Sequence, residues 1–189
     1  MRVRRSLIAG LFYVCGVLCL GSCALPAPGR GTIAPEPLRI APAALGERTV
    51  EQRLVMRWPG GERATEAVLE IAEGRLQLVM MAFGMRLVSL AYDGETLTER
   101  RFVPHAPEGA RILNDLLLIA APLEDLRRVL PPGASVTETR ANGGLRREIA
   151  LDGMMQAVID YETESPWQGR VTFAHLAMKY ELILESHEI

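Results

Sequence analysis

Alternation of apolar and polar residues with a period of two dominates this chain from Val50 onward. Val50, Leu54, Met56 and Trp58 share one face of an extended run, while Glu51, Arg53 and Arg57 share the other. That pattern predicts a half-buried strand closed by the turn Pro59-Gly60-Gly61. Ala64 to Ala72 repeats it, with Ala67, Leu69 and Ile71 inward and Glu66 and Glu70 outward. Glu73-Gly74-Arg75 turns the chain into a third, mostly apolar strand from Leu76 to Ala82. Gly84 interrupts, Met85 to Tyr92 resumes, and Asp93-Gly94 is a strong hairpin signal before Thr96 to Phe102. Five short strands joined by tight turns describe an antiparallel meander.

The period then changes. Ile112, Leu113, Leu116, Leu117 and Ala120 recur at helical spacing, and a second helix starts at Pro122 with Leu123, Leu126, Val129 and Leu130 on one face. Its acidic residues Glu124 and Asp125 precede Arg127 and Arg128, the order the helix dipole favours, and Pro131-Pro132-Gly133 stops it. Strands return over 135–140, 145–151, 154–163, 170–175 and 178–185, with Asn142-Gly143-Gly144 and Asp152-Gly153 as hairpin signals. The expected fold class is α+β, one long antiparallel sheet with two central helices on one face.

The N-terminal segment has another character. Arg2, Arg4 and Arg5 precede an apolar stretch from Leu7 to Leu20, shorter than the ~20 residues of a spanning helix. Leu20-Gly21-Ser22-Cys23 resembles a lipobox, so residues 1–22 are expected to be a cleaved lipoprotein signal and Cys23 the lipidated new N-terminus. Arg4-Arg5 fits general or twin-arginine export alike. Ala24 after the cysteine, by resemblance to Gram-negative sorting rules, points to the outer membrane. Pro26, Pro28, Pro35, Pro37 and Pro42 mark residues 23–46 as an extended tether, leaving 47–189 as a single domain.

Composition narrows the function. Cys15 and Cys19 lie within the signal, so a mature chain beginning at Cys23 has no thiol beyond the lipid site for a disulfide, zinc or nucleophilic role. Cleavage removes three of 21 basic residues and none of 23 acidic ones, a net charge of −5 that disfavours a nucleic acid partner. His105, His175 and His187 have no metal-ligand spacing and read as loop or surface residues. No nucleophile elbow, phosphate loop or dinucleotide fingerprint is present. No catalytic residue, metal or cofactor is therefore nominated, and the domain is expected not to be an enzyme.

Seven methionines follow Cys23, on or beside strands, and only 5% of residues are aromatic. Flexible, polarizable side chains suit a cavity for a flexible apolar guest, although they also fill ordinary cores.

The run Leu76-Gln-Leu-Val-Met-Met-Ala-Phe-Gly84-Met-Arg-Leu-Val-Ser-Leu-Ala-Tyr92-Asp-Gly94, followed by Ile112 to Ile119 and Pro122 to Gly133, resembles the lipoprotein carrier and receptor family of LolA and LolB. Ile112-Leu-Asn-Asp-Leu116, Ile159-Asp-Tyr161, Ser165-Pro-Trp-Gln-Gly169 and Tyr180-Glu-Leu182 resemble, in order, an outer-membrane lipoprotein family often encoded beside aryl-polyene biosynthesis genes. The resemblance implies an incomplete β-barrel whose helices cover the concave face and leave an apolar cavity. In LolB an apolar loop projects from the barrel, and Pro59-Gly60-Gly61 is no apolar equivalent. The expected function is an outer-membrane lipoprotein that receives a lipidic or amphipathic molecule, an aryl-polyene lipid or acylated cargo, with a periplasmic carrier protein as possible donor. The alternative is an envelope scaffold that binds a partner protein. Candidate cavity residues are Leu54, Met56, Leu69, Ile71, Leu78 and Met80 on the first strands. Leu87, Leu116, Leu117, Leu126, Ile149 and Phe173 complete the set.

Overall fold

The computed structural model describes residue 33 and residues 36–141 and 144–189. The signal segment and Cys23 lie outside the described residues. Ten strands form one antiparallel sheet. They are β1 (Arg48–Trp58), β2 (Gly61–Ala72), β3 (Arg75–Ala82), β4 (Met85–Tyr92), β5 (Leu97–Arg101), β6 (Ala134–Ala141), β7 (Gly144–Leu151), β8 (Met154–Tyr161), β9 (Gly169–His175) and β10 (Tyr180–Glu188). Helices α1 (Gly109–Ala120) and α2 (Leu123–Val129) separate β5 from β6.

Strand order is β5-β4-β3-β2-β1-β10-β9-β8-β7-β6, so each half is a hairpin meander and β1 joins β10 at the centre. Among the described residues the sheet is not closed. Its free edges, β5 and β6, carry Thr98, Glu99, Arg100 and Arg101 on one side and Thr137, Glu138, Thr139 and Arg140 on the other. Charged and hydroxylated edges discourage pairing with another chain.

The sheet must curl, because α1 is bonded to both of its flanks. The Gly109 N–H donates to Glu99 Oε2 on β5 at 2.5 Å, and Arg147 on β7 donates to the Leu118 carbonyl at 2.6 Å. Eight strand steps separate β5 from β7, about 38 Å on a flat sheet at ~4.8 Å per step. Gly109 to Leu118 covers only about 14 Å of helix at ~1.5 Å per residue. A glutamate and an arginine side chain cannot close that difference, so the flanks fold toward each other around α1.

The concave face carries the core. Val50, Leu69, Ile71, Leu76, Val88, Ile149, Ile159, Val171 and Phe173 are all at most 1% exposed and meet Leu113, Leu117 and Leu126 from the helices. Burying a side chain of this size contributes about 1.5–3 kcal/mol. The C-terminal carbonyls of α1 have no intrahelical donors. Arg147 serves Leu118 and Ile119, and the Tyr161 hydroxyl donates to Ile119 at 2.6 Å. Arg147 is balanced by Glu138 at 2.6 Å.

Two expectations require correction here. Residues 23–46 are not a tether throughout: Ile33, Leu38, Ile40 and Leu45 are buried in the core cluster, and Pro42–Leu45 form a 3-10 turn. Asn114 accepts from the Leu38 N–H and donates to the Glu36 carbonyl, while the Tyr92 hydroxyl donates to the Leu38 carbonyl. Proline excludes regular strand here but does not prevent docking of the apolar residues between the prolines. The second correction is His175, which is 6% exposed and packs edge-on to Phe173.

Candidate functional site

Strand registers place one set of hairpin ends together. Trp58 ends β1, Phe83 and Met85 flank Gly84 between β3 and β4, and Phe102 follows β5. Met154 and Met155 begin β8, and Leu176 and Met178 lie between β9 and β10. Among the described residues these are eight of the nine exposed large hydrophobics, and only Ile189 lies at the opposite end. Phe83 is 97% exposed at φ +51°. The β3–β4 turn, unlike Pro59-Gly60-Gly61, thus carries exposed apolar side chains, Phe83 and Met85. Isolated apolar surface residues are ordinary, but here eight share one end of the sheet, spread along its rim from β5 to β8.

Inside that rim the sheet does not pack fully against α1. An outer chamber of about 360 Å³ is lined by Leu54, Met56 and Trp58 of β1, Arg63 and Thr65 of β2, and Met80 of β3. Pro107, Arg111, Met178, Tyr180 and Leu182 complete the wall. Its volume lies at the lower end of the ~300–1,000 Å³ typical of ligand sites. A narrower inner chamber of about 50 Å³ continues from it, sharing Leu54, Met56, Met80, Pro107 and Leu182. Gln52, Leu78, Ile112, Asp115, Leu116, Ile119 and Leu184 line the inner part.

Of the twelve candidate residues, the structure brings Leu54, Met56, Leu78, Met80 and Leu116 to these chambers. Leu69, Ile71, Leu117, Leu126, Ile149 and Phe173 are elsewhere in the packed core, none more than 1% exposed. Leu87 is a correction. The β3–β4 register runs Met81 to Arg86 and then Met80 to Val88, so Leu87 is the extra residue of a bulge. The bulge breaks the two-residue phase, giving the concave face to Val88, Leu90 and Tyr92. Leu87 is buried but outside the core cluster.

The polar wall of the site was not anticipated. Asp115 is 6% exposed, with the Tyr180 hydroxyl 2.7 Å from both its carboxyl oxygens. Desolvation pushes this carboxyl up to about 7, against the downward pull of the Tyr180 hydrogen bond and the Arg111 charge. Arg111 lies over the Tyr180 ring, its Cζ 4.3 Å from the centroid. His175 packs at 5.1 Å from the same ring, and burial followed by the Arg111 charge lowers it to about 4, keeping it neutral. Deeper still, Gln52 donates to the Ser186 hydroxyl at 3.0 Å. One sequence signal does point to this wall: Arg111, Asn114 and Asp115 are the only polar residues in an otherwise apolar α1. They fall at i, i+3 and i+4 on one face of the helix, yet Asn114 and Asp115 are buried, so these polar groups must find partners inside.

The described residues contain no helix long and apolar enough to cross a membrane. They contain no group of three or more His, Cys, Asp or Glu arranged to hold a metal. No curated protein matches the chain. Among solved structures it is similar to the lipoprotein LppX of Mycobacterium tuberculosis, at 9% identity over 77% of this chain and 87% of that one, with a TM-score of 0.34. Residues 49–188 match the family described as "Protein of unknown function (DUF3261)", and the chain belongs to that family.

Proposed function

We propose that this protein is a non-catalytic, lipid-anchored binder of an amphipathic molecule, whose apolar chain it holds between the concave sheet and α1. One observation carries the reading: a two-chamber cavity, narrow and apolar within, opens at the end of the sheet that bears the exposed apolar rim. Each CH₂ moved from water to such a site contributes about 0.8 kcal/mol, less the cost of ordering the chain. The rim then contacts the lipid surface or carrier that exchanges the guest. The lipobox ending at Cys23 and the Ala24 that follows it support attachment to the periplasmic face of the outer membrane. An aryl-polyene lipid is the specific cargo proposed, on the sequence resemblance.

The test is to express the chain from Ala24, purify it without detergent, and analyse its organic extract by mass spectrometry. A stoichiometric chain-bearing molecule, and saturable binding of a fluorescent fatty acid by the emptied protein, are expected. The absence of both a co-purifying molecule and probe binding would overturn the reading and favour a scaffold that uses the rim for a protein partner.

A further inference from the structure

We propose that the outer chamber selects an anionic head group, a carboxylate or phosphate on a single apolar chain, through the guanidinium groups of Arg63 and Arg111. This rests on the cavity-binding reading above and adds a polarity to it: head at the rim, tail toward Leu78, Leu116 and Leu184.

The charge balance of the wall supports it. The outer chamber is lined by two arginines and no carboxylate. Eleven ion pairs occur among the described residues, and none involves Arg63 or Arg111. For Arg111 this is unexpected, because Asp115 stands one turn along the same helix, the spacing at which such pairs normally form. Asp115 instead faces the Tyr180 hydroxyl, inside the inner chamber. Burial also raises that carboxyl to about 7, so it is only partly ionised near neutral pH and competes less fully with a guest anion for Arg111.

The orientation of Arg111 supplies a second, independent observation. Its guanidinium is stacked on the Tyr180 ring, and its Nε is buried with no hydrogen-bond partner. A buried donor left without an acceptor is uncommon in a folded protein, and a guest in the chamber would meet the half-buried guanidinium through its other nitrogens. The planar guanidinium fork also matches the two oxygens of a carboxylate or phosphate. Arg63 enters from the opposite wall, on the same face of β2 as Thr65, whose hydroxyl adds a further donor to the lining.

The experiment is competition against the neutral fluorescent probe N-phenyl-1-naphthylamine at pH 7.4, with the chain from Ala24 emptied of any guest. Dodecanoate and dodecyl phosphate are each expected to displace the probe at concentrations at least tenfold lower than dodecanol. Acetate and inorganic phosphate at millimolar concentration should displace nothing. Arg63→Gln with Arg111→Gln should bring dodecanoate to the level of dodecanol measured on the same variant, and Arg111→Lys should restore part of the preference. Equal displacement by dodecanoate and dodecanol in the unsubstituted protein would overturn the head-group inference and leave the cavity reading standing. Displacement by acetate or phosphate alone would assign the arginines to a free anion instead. Failure of every chain-bearing compound, with the probe itself unbound, would remove the cavity reading as well.

Discussion

The Tyr180 hydroxyl sits 2.7 Å from each carboxyl oxygen of Asp115, joining the central strand β10 to the middle of α1. The carboxyl titrates near 7 in the folded chain and near 3.8 without its surroundings. Between those values the native state holds more protons than the unfolded state, so this group's stabilising contribution is lost as pH rises from about 4 to about 7. Asp115→Asn removes that dependence and keeps an acceptor for Tyr180. The stability of the variant relative to the unsubstituted protein should therefore increase from pH 4 to pH 8, by about 1–4 kcal/mol at ~1.4 kcal/mol per pKa unit. Urea denaturation at a series of pH values checks this, and a difference independent of pH would refute it.

Arg147 is 5% exposed and bonds two terminal carbonyls of α1 as well as Glu138. Arg147→Met should cost about 3 kcal/mol, because it leaves the Leu118 carbonyl without this donor and Glu138 unpaired, while Ile119 keeps only Tyr161. Arg147→Lys should fall between, since an ammonium cannot reproduce the fork. Chemical denaturation of the three proteins orders them, and equal midpoints would show that α1 is not held through this residue.

Chamber and core separate under substitution. Met56→Trp places an indole in the space shared by the two chambers, and should weaken fatty-acid binding at least tenfold while changing stability by less than about 1.5 kcal/mol. Leu69→Ala, in the filled core, should cost about 2–5 kcal/mol of stability with affinity retained by the folded fraction. Probe titration and thermal unfolding of both variants distinguish the two effects. The assignment of residues to core and chamber fails if Leu69→Ala abolishes binding in a folded protein while Met56→Trp leaves it intact.

Phe83 combines nearly complete exposure with a left-handed backbone that a phenylalanine rarely adopts. Phe83→Gly should hold or slightly raise the unfolding temperature, since glycine takes that conformation freely. It should also reduce cosedimentation of the unlipidated domain with phosphatidylethanolamine–phosphatidylglycerol vesicles. Unchanged sedimentation would detach the rim from any membrane role.

The sheet was legible in the sequence because alternation survives in strands with one wet face, and because Asp93-Gly94 and Asp152-Gly153 mark their turns. Leu87 was misplaced because a bulge is a local insertion in the pairing, invisible to a strict period of two. Leu38 and Ile40 were missed because proline-rich chain has no period at all, so its burial depends on partners such as Asn114 that only the folded state supplies. Asp115 and Tyr180 were missed for a related reason: they are 65 residues apart, and nothing local reveals that each satisfies the other.

Ile33 is 1% exposed within the core, ten residues after Cys23. Ten residues span at most about 35 Å when fully stretched. A domain lipidated at Cys23 would thus patrol a thin layer above its own bilayer, where the short leash sets a high effective concentration of the mouth against that surface. It would have no reach toward a second membrane. Any guest from elsewhere would have to arrive on a freely diffusing escort, and the exchange would take place within that layer.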